Sequence, residues 1–523
     1  MIERKRVRAA AAVLAAALAA GVTAGCRGGD AAPDGGPSAS SANSAADRPG
    51  SSPGMPALPA TLTGQKPRWE PCGAPDGERE PGPEWRCATV RVPLDYRKPD
   101  GETLPVALIR KEARDRSKRI GSLLFNFGGP GASGVEMLPG FAPDYEALNT
   151  RYDLVGFDPR GVGGSSAVVC RSDEEQARAE ARIDPTPDTP AEEAAYLKDG
   201  SDFGAGCARR SGKLIPHVTT GNTARDLDVV RHVLGDPELH YFGISYGTQL
   251  GAAYAHLFPG RTGRTVLDAV VDPTADSEGH ARHQTTGFQR ALDNYFASTG
   301  EDPAEGTARV ARLLERLDER PLETRSGRKL TEGLALTGIV TPLYAESGWP
   351  LLTEALREAE DGRGDALLRL ADMYNNRDAD GRYGTDSHSQ RAISCADTDQ
   401  RPTAARAREL LPEFRRLSPV FGEFLAWDTA GWCANWPVKG EPADRDVSAP
   451  GAGPILVVGT TGDPATPYEG ARRMADGLGE GVGVLVTNKG EGHGAYGTSA
   501  CVTRTVDDYL LRGEVPEDGT TCP

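Results

Sequence analysis

Leu239-His240-Tyr241-Phe242-Gly243-Ile244-Ser245-Tyr246-Gly247-Thr248 is the stretch that decides the fold. Leu239–Phe242 is a short apolar run. It enters the only glycine-x-serine-x-glycine of the chain, and a small-residue helical stretch, Thr248–Leu257, follows. Strand, abrupt turn and helix with serine at the apex form a nucleophile elbow, which holds the hydroxyl proud of the sheet edge. The turn crowds the positions beside the serine, so glycine is needed there. The helix start adds free N–H groups and a positive dipole end at the reacting oxygen. Ser245 is therefore the candidate nucleophile.

The same alternation extends in both directions. Thr89–Leu94 and Leu104–Arg110 read as an opening strand pair, and Ser122–Phe127 runs into Gly128-Gly129-Pro130-Gly131. Tyr152–Phe157 leads to the loop Asp158–Ser165, whose expected role is structural. Thr223–Leu234 has helical spacing, and Arg264–Val271 is the next strand. Strands alternating with helices predict an α/β chain whose central sheet is mostly parallel and covered on both faces.

A serine nucleophile needs a base, an orienting acid and an oxyanion hole. Of the eight histidines, His493 alone lies on a late glycine-rich loop, Gly490–Gly494, directly after the strand Val482–Val486. The acid belongs between serine and histidine in chain order. Asp463 follows the strand Pro454–Gly459 in Asp463-Pro464-Ala465-Thr466-Pro467, where Thr466 could bond the carboxylate; Asp272 is the competitor. The Tyr246 amide is one expected oxyanion donor, and that of Gly129, after the third strand, is the other.

Composition narrows the class independently. A formal net charge of −16 over 523 residues, with no basic stripe, argues against nucleic acid as a partner. No uncharged apolar run of twenty residues occurs, which excludes a multispanning membrane protein. The N-terminus carries Arg4, Lys5, Arg6 and Arg8, then an apolar stretch Ala9–Val22, then Thr23-Ala24-Gly25-Cys26. A charged start, a short apolar segment and small residues make an export signal, residues 1–25. A cysteine placed directly after resembles a bacterial lipoprotein signal, with Cys26 the lipidated residue. Residues 26–67 are rich in Ala, Gly, Ser and Pro and read as a flexible tether.

Nine cysteines less Cys26 leave eight, an even number that in an exported chain points to disulfides. Sequential pairing (Cys72–Cys87, Cys170–Cys207, Cys395–Cys433, Cys501–Cys522) closes only local loops and is the expectation.

Taken as a set, these residues resemble the α/β-hydrolase fold. Within it the chain is similar to the exported tripeptidyl aminopeptidases related to prolyl aminopeptidases. The resemblance rests on Gly128–Gly131, Asp158–Ser165, Gly243–Thr248, Asp463–Pro467, Gly492–Gly494, Ala392–Asp397 and Cys433–Pro437. Phe127 stands where prolyl aminopeptidases carry a histidine, which argues against strict single-proline specificity. The resemblance implies a serine exopeptidase releasing short peptides, tripeptides above all, from free N-termini. It needs no metal or organic cofactor and acts as an exported monomer, lipid-anchored or secreted.

The expected domains are residues 68–275 and 450–523 for the hydrolase core. A helical cap, 276–449, is inserted after the sixth strand and includes Gly306–Leu317 and Trp349–Leu370. An aminopeptidase must also hold an α-ammonium group, for which Asp397 is the candidate carboxylate. Trp432 and Trp436 either line that pocket or pack the cap. Two other readings use the same residues: an extracellular carboxylesterase or lipase, and a non-catalytic surface binding lipoprotein. A dehalogenase or epoxide hydrolase is disfavoured because serine, not aspartate, occupies the elbow.

Overall fold

The computed structural model describes residues 55–73, 80–442 and 445–523; Cys26 and the signal lie outside them. Its centre is a ten-stranded sheet in the order β1-β2-β3-β5-β4-β6-β7-β10-β11-β12. The strands are β1 (Glu70–Pro71), β2 (Trp85–Pro93), β3 (Thr103–Lys111), β4 (Gly121–Asn126), β5 (Tyr152–Phe157), β6 (Leu239–Ile244) and β7 (Thr262–Asp268). After the two-residue ribbon β8 (Leu322–Glu323) and β9 (Lys329–Leu330) come β10 (Ile455–Gly462), β11 (Gly483–Glu491) and β12 (Thr520–Cys522). From β5 through β12 every pairing in the large sheet is parallel, and β1, β2 and β3 join antiparallel. This is the α/β-hydrolase arrangement expected from the elbow.

The principal helices are α1 (Gly134–Phe141), α2 (Pro190–Ser211), α3 (Thr220–Leu234) and α4 (Tyr246–Leu257) among the early strands. Between β7 and β10 follow α5 (Ser277–Thr299), α6 (Pro303–Glu319), α7 (Glu332–Leu343), α8 (Trp349–Glu360), α9 (Asp365–Tyr374), α10 (Asp386–Ala396), α11 (Ala404–Leu417) and α12 (Gly422–Gly431). Helices α13 (Tyr468–Leu478) and α14 (Ala500–Arg512) close the chain.

Alternation along the strands explains the two-faced cover. In β4, Leu123 and Phe125 enter one hydrophobic cluster with Leu138 of α1 and Leu510 of α14, while Leu124 enters another with Leu227 of α3 and Leu250 of α4. All six residues of β4 and of β5 are buried, the pattern of parallel strands covered on both faces.

The insertion has its own core, including Phe288, Leu292, Leu313, Ile339, Leu367 and Phe414. Helix α6 shows how firmly its ends are set: Asp302 accepts the N–H groups of Ala304 and Glu305, and Pro303 occupies the first helical position. Three expectations need revision. The stretch Trp349–Leu370 is two helices, because the chain turns through Gly362 at φ +82°. Residues between β5 and β6, assigned to the core by sequence, also join the insertion: Thr186 donates to Glu332 at 2.6 Å and the Tyr383 hydroxyl to Glu180 at 2.7 Å. The tether is shorter than residues 26–67. A helical turn, Ala60–Thr63, buries Leu62, and the Gln65 side chain bonds both main-chain groups of Arg91 at 2.8 Å. The composition of this segment hid Met55, Leu58, Leu62 and Gln65, whose side chains dock it.

The four expected disulfides are all present: Cys72–Cys87, Cys170–Cys207, Cys395–Cys433 and Cys501–Cys522.

Candidate active site

Ser245 sits between β6 and α4 at φ 58° and ψ −125°, a conformation a side-chain-bearing residue adopts only when its surroundings enforce it. The flanking glycines are the enforcement. A Cβ on Gly243 would lie 2.3 Å from the carbonyl oxygen of Gly247, and one on Gly247 would lie 2.6 Å from that of Asn126. The amide of Tyr246, first residue of α4, has no acceptor within its own helix.

The loop after β4 comes against the serine. A Cβ on Gly128, at φ +91°, would stand 2.7 Å from Ser245 Cβ and 3.2 Å from the Tyr246 nitrogen. Asn126 Oδ1 accepts the Gly128 N–H at 3.1 Å, so that N–H is occupied. Among the described residues, the N–H of Gly129 makes no such bond.

Asp463 is fully buried just after β10. Its Oδ1 accepts the N–H groups of Ala465 (2.9 Å) and Thr466 (2.8 Å), and its Oδ2 accepts the Thr466 hydroxyl at 3.0 Å. Both oxygens also face His493 Nδ1, at 2.9 and 3.0 Å. With Nδ1–H donating to the carboxylate, the lone pair is left on Nε2, as a general base requires. Burial alone would lower the His493 pKa, but the charge and hydrogen bond of Asp463, with the charge of Asp268, raise it above the ordinary value. The competitor Asp272 is engaged elsewhere, with Arg473, Thr274 and His283.

Asp268 connects the two halves of the site, and sequence reading missed it. Its main-chain oxygen accepts the Ser245 N–H at 3.1 Å. Its carboxylate accepts the N–H groups of Ala495 (3.0 Å) and Tyr496 (2.9 Å), just beyond His493. The strand had been expected to run to Val271. It stops at Asp268 because the next residue, Ala269, turns to φ 57°. Among the described residues Ser245 Oγ makes no hydrogen bond.

Asp397 has partners other than those expected. Its Oδ1 accepts the Thr220 N–H (2.8 Å) and its Oδ2 the Thr220 hydroxyl (2.6 Å), capping α3. Thr220 Oγ1 in turn lies 2.5 Å from the Tyr246 hydroxyl. Burial, opposed by the Thr220 donors, pushes the Asp397 pKa up to about 7. The residue thus braces the neighbour of the nucleophile, each carboxylate oxygen accepting one donor of Thr220. Of the two tryptophans, Trp436 is buried against Gly204 of α2, and Trp432 is half-buried.

The insertion reaches the base directly. The Tyr344 carbonyl, at the end of α7, accepts the His493 N–H at 2.8 Å, and its ring meets the imidazole at 5.3 Å between centroids, nearly perpendicular.

Comparison with known proteins agrees with this geometry. Residues 418–522 match the family model described as TAP-like protein. Serine protease Hip1 of Mycobacterium tuberculosis is 38% identical over 88% of this chain and 91% of its own. Tripeptidyl aminopeptidase of Streptomyces lividans is 33% identical over 87% and 86%. Carboxylesterase B of M. tuberculosis is 36% identical over 84% and 86%. On this breadth of identity the chain belongs to the TAP-like family of α/β-hydrolases and is a serine hydrolase, of the peptidase kind.

Proposed function

We propose that the protein is an exopeptidase that releases short peptides, chiefly tripeptides, from free N-termini through an acyl-enzyme on Ser245. The observation that carries the mechanism is the Asp463–His493 pair, 2.9 Å apart in the tautomer that leaves Nε2 basic. His493 takes the Ser245 proton as Oγ attacks the scissile carbonyl. The amides of Tyr246 and Gly129 receive the oxyanion, and His493 returns the proton to the leaving amine. Water, activated by the same imidazole, then hydrolyses the ester. The Asp463 carboxylate holds the imidazole in this orientation and stabilises the imidazolium.

The helical insertion acts as a cap that narrows access to chain ends and shields the acyl-enzyme from bulk water. The tripeptidyl preference is supported by the named relative from S. lividans. A second reading, an esterase, is favoured by the relative named Carboxylesterase B. Turnover of a tripeptidyl 4-nitroanilide beside 4-nitrophenyl esters separates the two. Ser245→Ala is expected to abolish both activities, and full activity in that variant would end the mechanism.

Export and lipid anchoring at Cys26 complete the reading, supported by the charged, apolar and small-residue order of residues 1–26. Cys26→Ala is expected to release the protein from membranes into the medium.

A further inference from the structure

Gly128-Gly129-Pro130-Gly131 carries no polar side chain with which to fix itself, yet an oxyanion donor must be held in place before the reaction begins. Helix α10 of the insertion supplies the support. It is packed on the sheet, with Ala392, Ile393 and Ala396 in the hydrophobic cluster of the sheet. Its first turns press on the glycine loop. A Cβ on Gly131 would lie 2.5 Å from the Asp386 carbonyl oxygen and 2.9 Å from the Gln390 nitrogen.

Two adjacent side chains of α10 add polar contacts. Gln390 Nε2 donates to the Gly129 carbonyl at 3.2 Å. The buried Ser389 hydroxyl donates to the Gly161 carbonyl at 2.7 Å, within the loop Asp158–Ser165. That second loop holds the far end of the glycine stretch: Asp158 Oδ1 accepts the Ser133 hydroxyl at 2.6 Å and the Val135 N–H at 3.1 Å. The other end of α10 leads through Asp397 and Thr220 to the Tyr246 hydroxyl. One helix of the insertion therefore reaches both residues whose amides receive the oxyanion.

Of these contacts, the one from Gln390 acts on Gly129 itself. It engages the residue from the carbonyl side and leaves the N–H, on the other side of Cα, for the substrate. Gln390 is half-buried, so replacing it removes little packing, unlike the buried Ser389.

We infer that Gln390 is a positioning residue for the oxyanion hole, its carboxamide holding Gly129 so that the Gly129 N–H meets the developing oxyanion. This rests on the acyl-enzyme reading and names what couples the insertion to that chemistry. An interaction made only in the transition state shows in kcat and leaves KM alone.

The test compares wild type, Gln390→Met and Gln390→Glu on alanyl-alanyl-phenylalanyl 4-nitroanilide. Inhibition by the matching tripeptidyl trifluoromethyl ketone and by the free tripeptide is measured alongside. Methionine keeps the length without a donor, and glutamate sets an acceptor against the Gly129 carbonyl. Ser245 Oγ adds to the ketone carbon, its proton passes to His493, and the carbonyl oxygen becomes an oxyanion; the tripeptide forms none.

Both variants are expected to lower kcat by about tenfold or more and to weaken the ketone by a similar factor. KM and inhibition by the tripeptide should change by less than about twofold. Loss of folded enzyme would lower kcat but leave the ketone's inhibition constant as it was. An unchanged ketone constant therefore overturns the role of Gln390, and one folded variant suffices to decide. A ketone bound as tightly by Ser245→Ala as by wild type, in titration calorimetry, overturns the acyl-enzyme reading itself.

Discussion

His493 is partly buried, and its neighbours rather than its burial decide its charge. The Asp463 carboxylate and the Asp268 charge together hold its pKa above 6.5. Since the base must be neutral to accept the Ser245 proton, kcat/KM should fall as pH drops through a limb above 6.5, and a limb below that value contradicts the assignment. The linkage to stability has the opposite sense. A raised pKa means that protonation favours the folded state, a contribution fully present below 6.5 and lost as pH rises through the folded value. Asp463→Asn keeps the shape but offers an amide where the imidazole needs an acceptor. It should lower kcat by roughly 10³- to 10⁴-fold with little change in KM, read by steady-state kinetics. Asp268→Asn removes a charge that raises the His493 pKa, so the acid limb should move down in pH while kcat falls. The proposed triad of Ser245, His493 and Asp463 was legible as a candidate in sequence because each residue lies in a distinctive loop at a strand end. Asp268 could not: it has the look of any strand residue, and its role exists only because β7 lies between β6 and β10.

Helices and strands hold the elbow by exclusion of volume. Gly247→Ala places a methyl group 2.6 Å from the Asn126 carbonyl, and neither backbone can retreat within a buried parallel sheet. A loss of about 3 kcal/mol or more is expected in chemical denaturation, together with loss of activity. The glycine pattern announced this turn, but the partner that forbids a side chain, Asn126, lies on a strand more than a hundred residues earlier. The cysteine spacing likewise suggested local staples, and Cys395–Cys433 ties α10 to the end of α12. Replacing both cysteines by alanine should cost roughly 4 kcal/mol by the loop-closure relation. The loss is read as a lowered midpoint in chemical denaturation of the Cys395→Ala, Cys433→Ala double variant, and an unchanged midpoint would show that the staple adds nothing to stability.

At the scale of the whole molecule, most of the insertion packs in a hydrophobic cluster of its own, while Ile393, Cys395 and Trp436 join the cluster of the sheet. Tyr344 carries the insertion onto the His493 loop, and the residues between β5 and β6 carry the core onto the insertion. Chain order already carried the class of fold, the strand–turn–helix around Ser245, the proposed order of serine, acid and histidine, and the even set of cysteines. These are local patterns, set by side-chain period, turn geometry and short loops, so they survive in one dimension. Only the fold in three dimensions brought Asp397 to the start of α3, where its carboxylate accepts both donors of Thr220. Likewise it alone docked the residues before the first strand and linked the serine turn to the histidine loop through Asp268. Each depends on which distant groups meet in a buried space, where an unpaired charge is costly and a paired one is silent, and chain order does not carry that information.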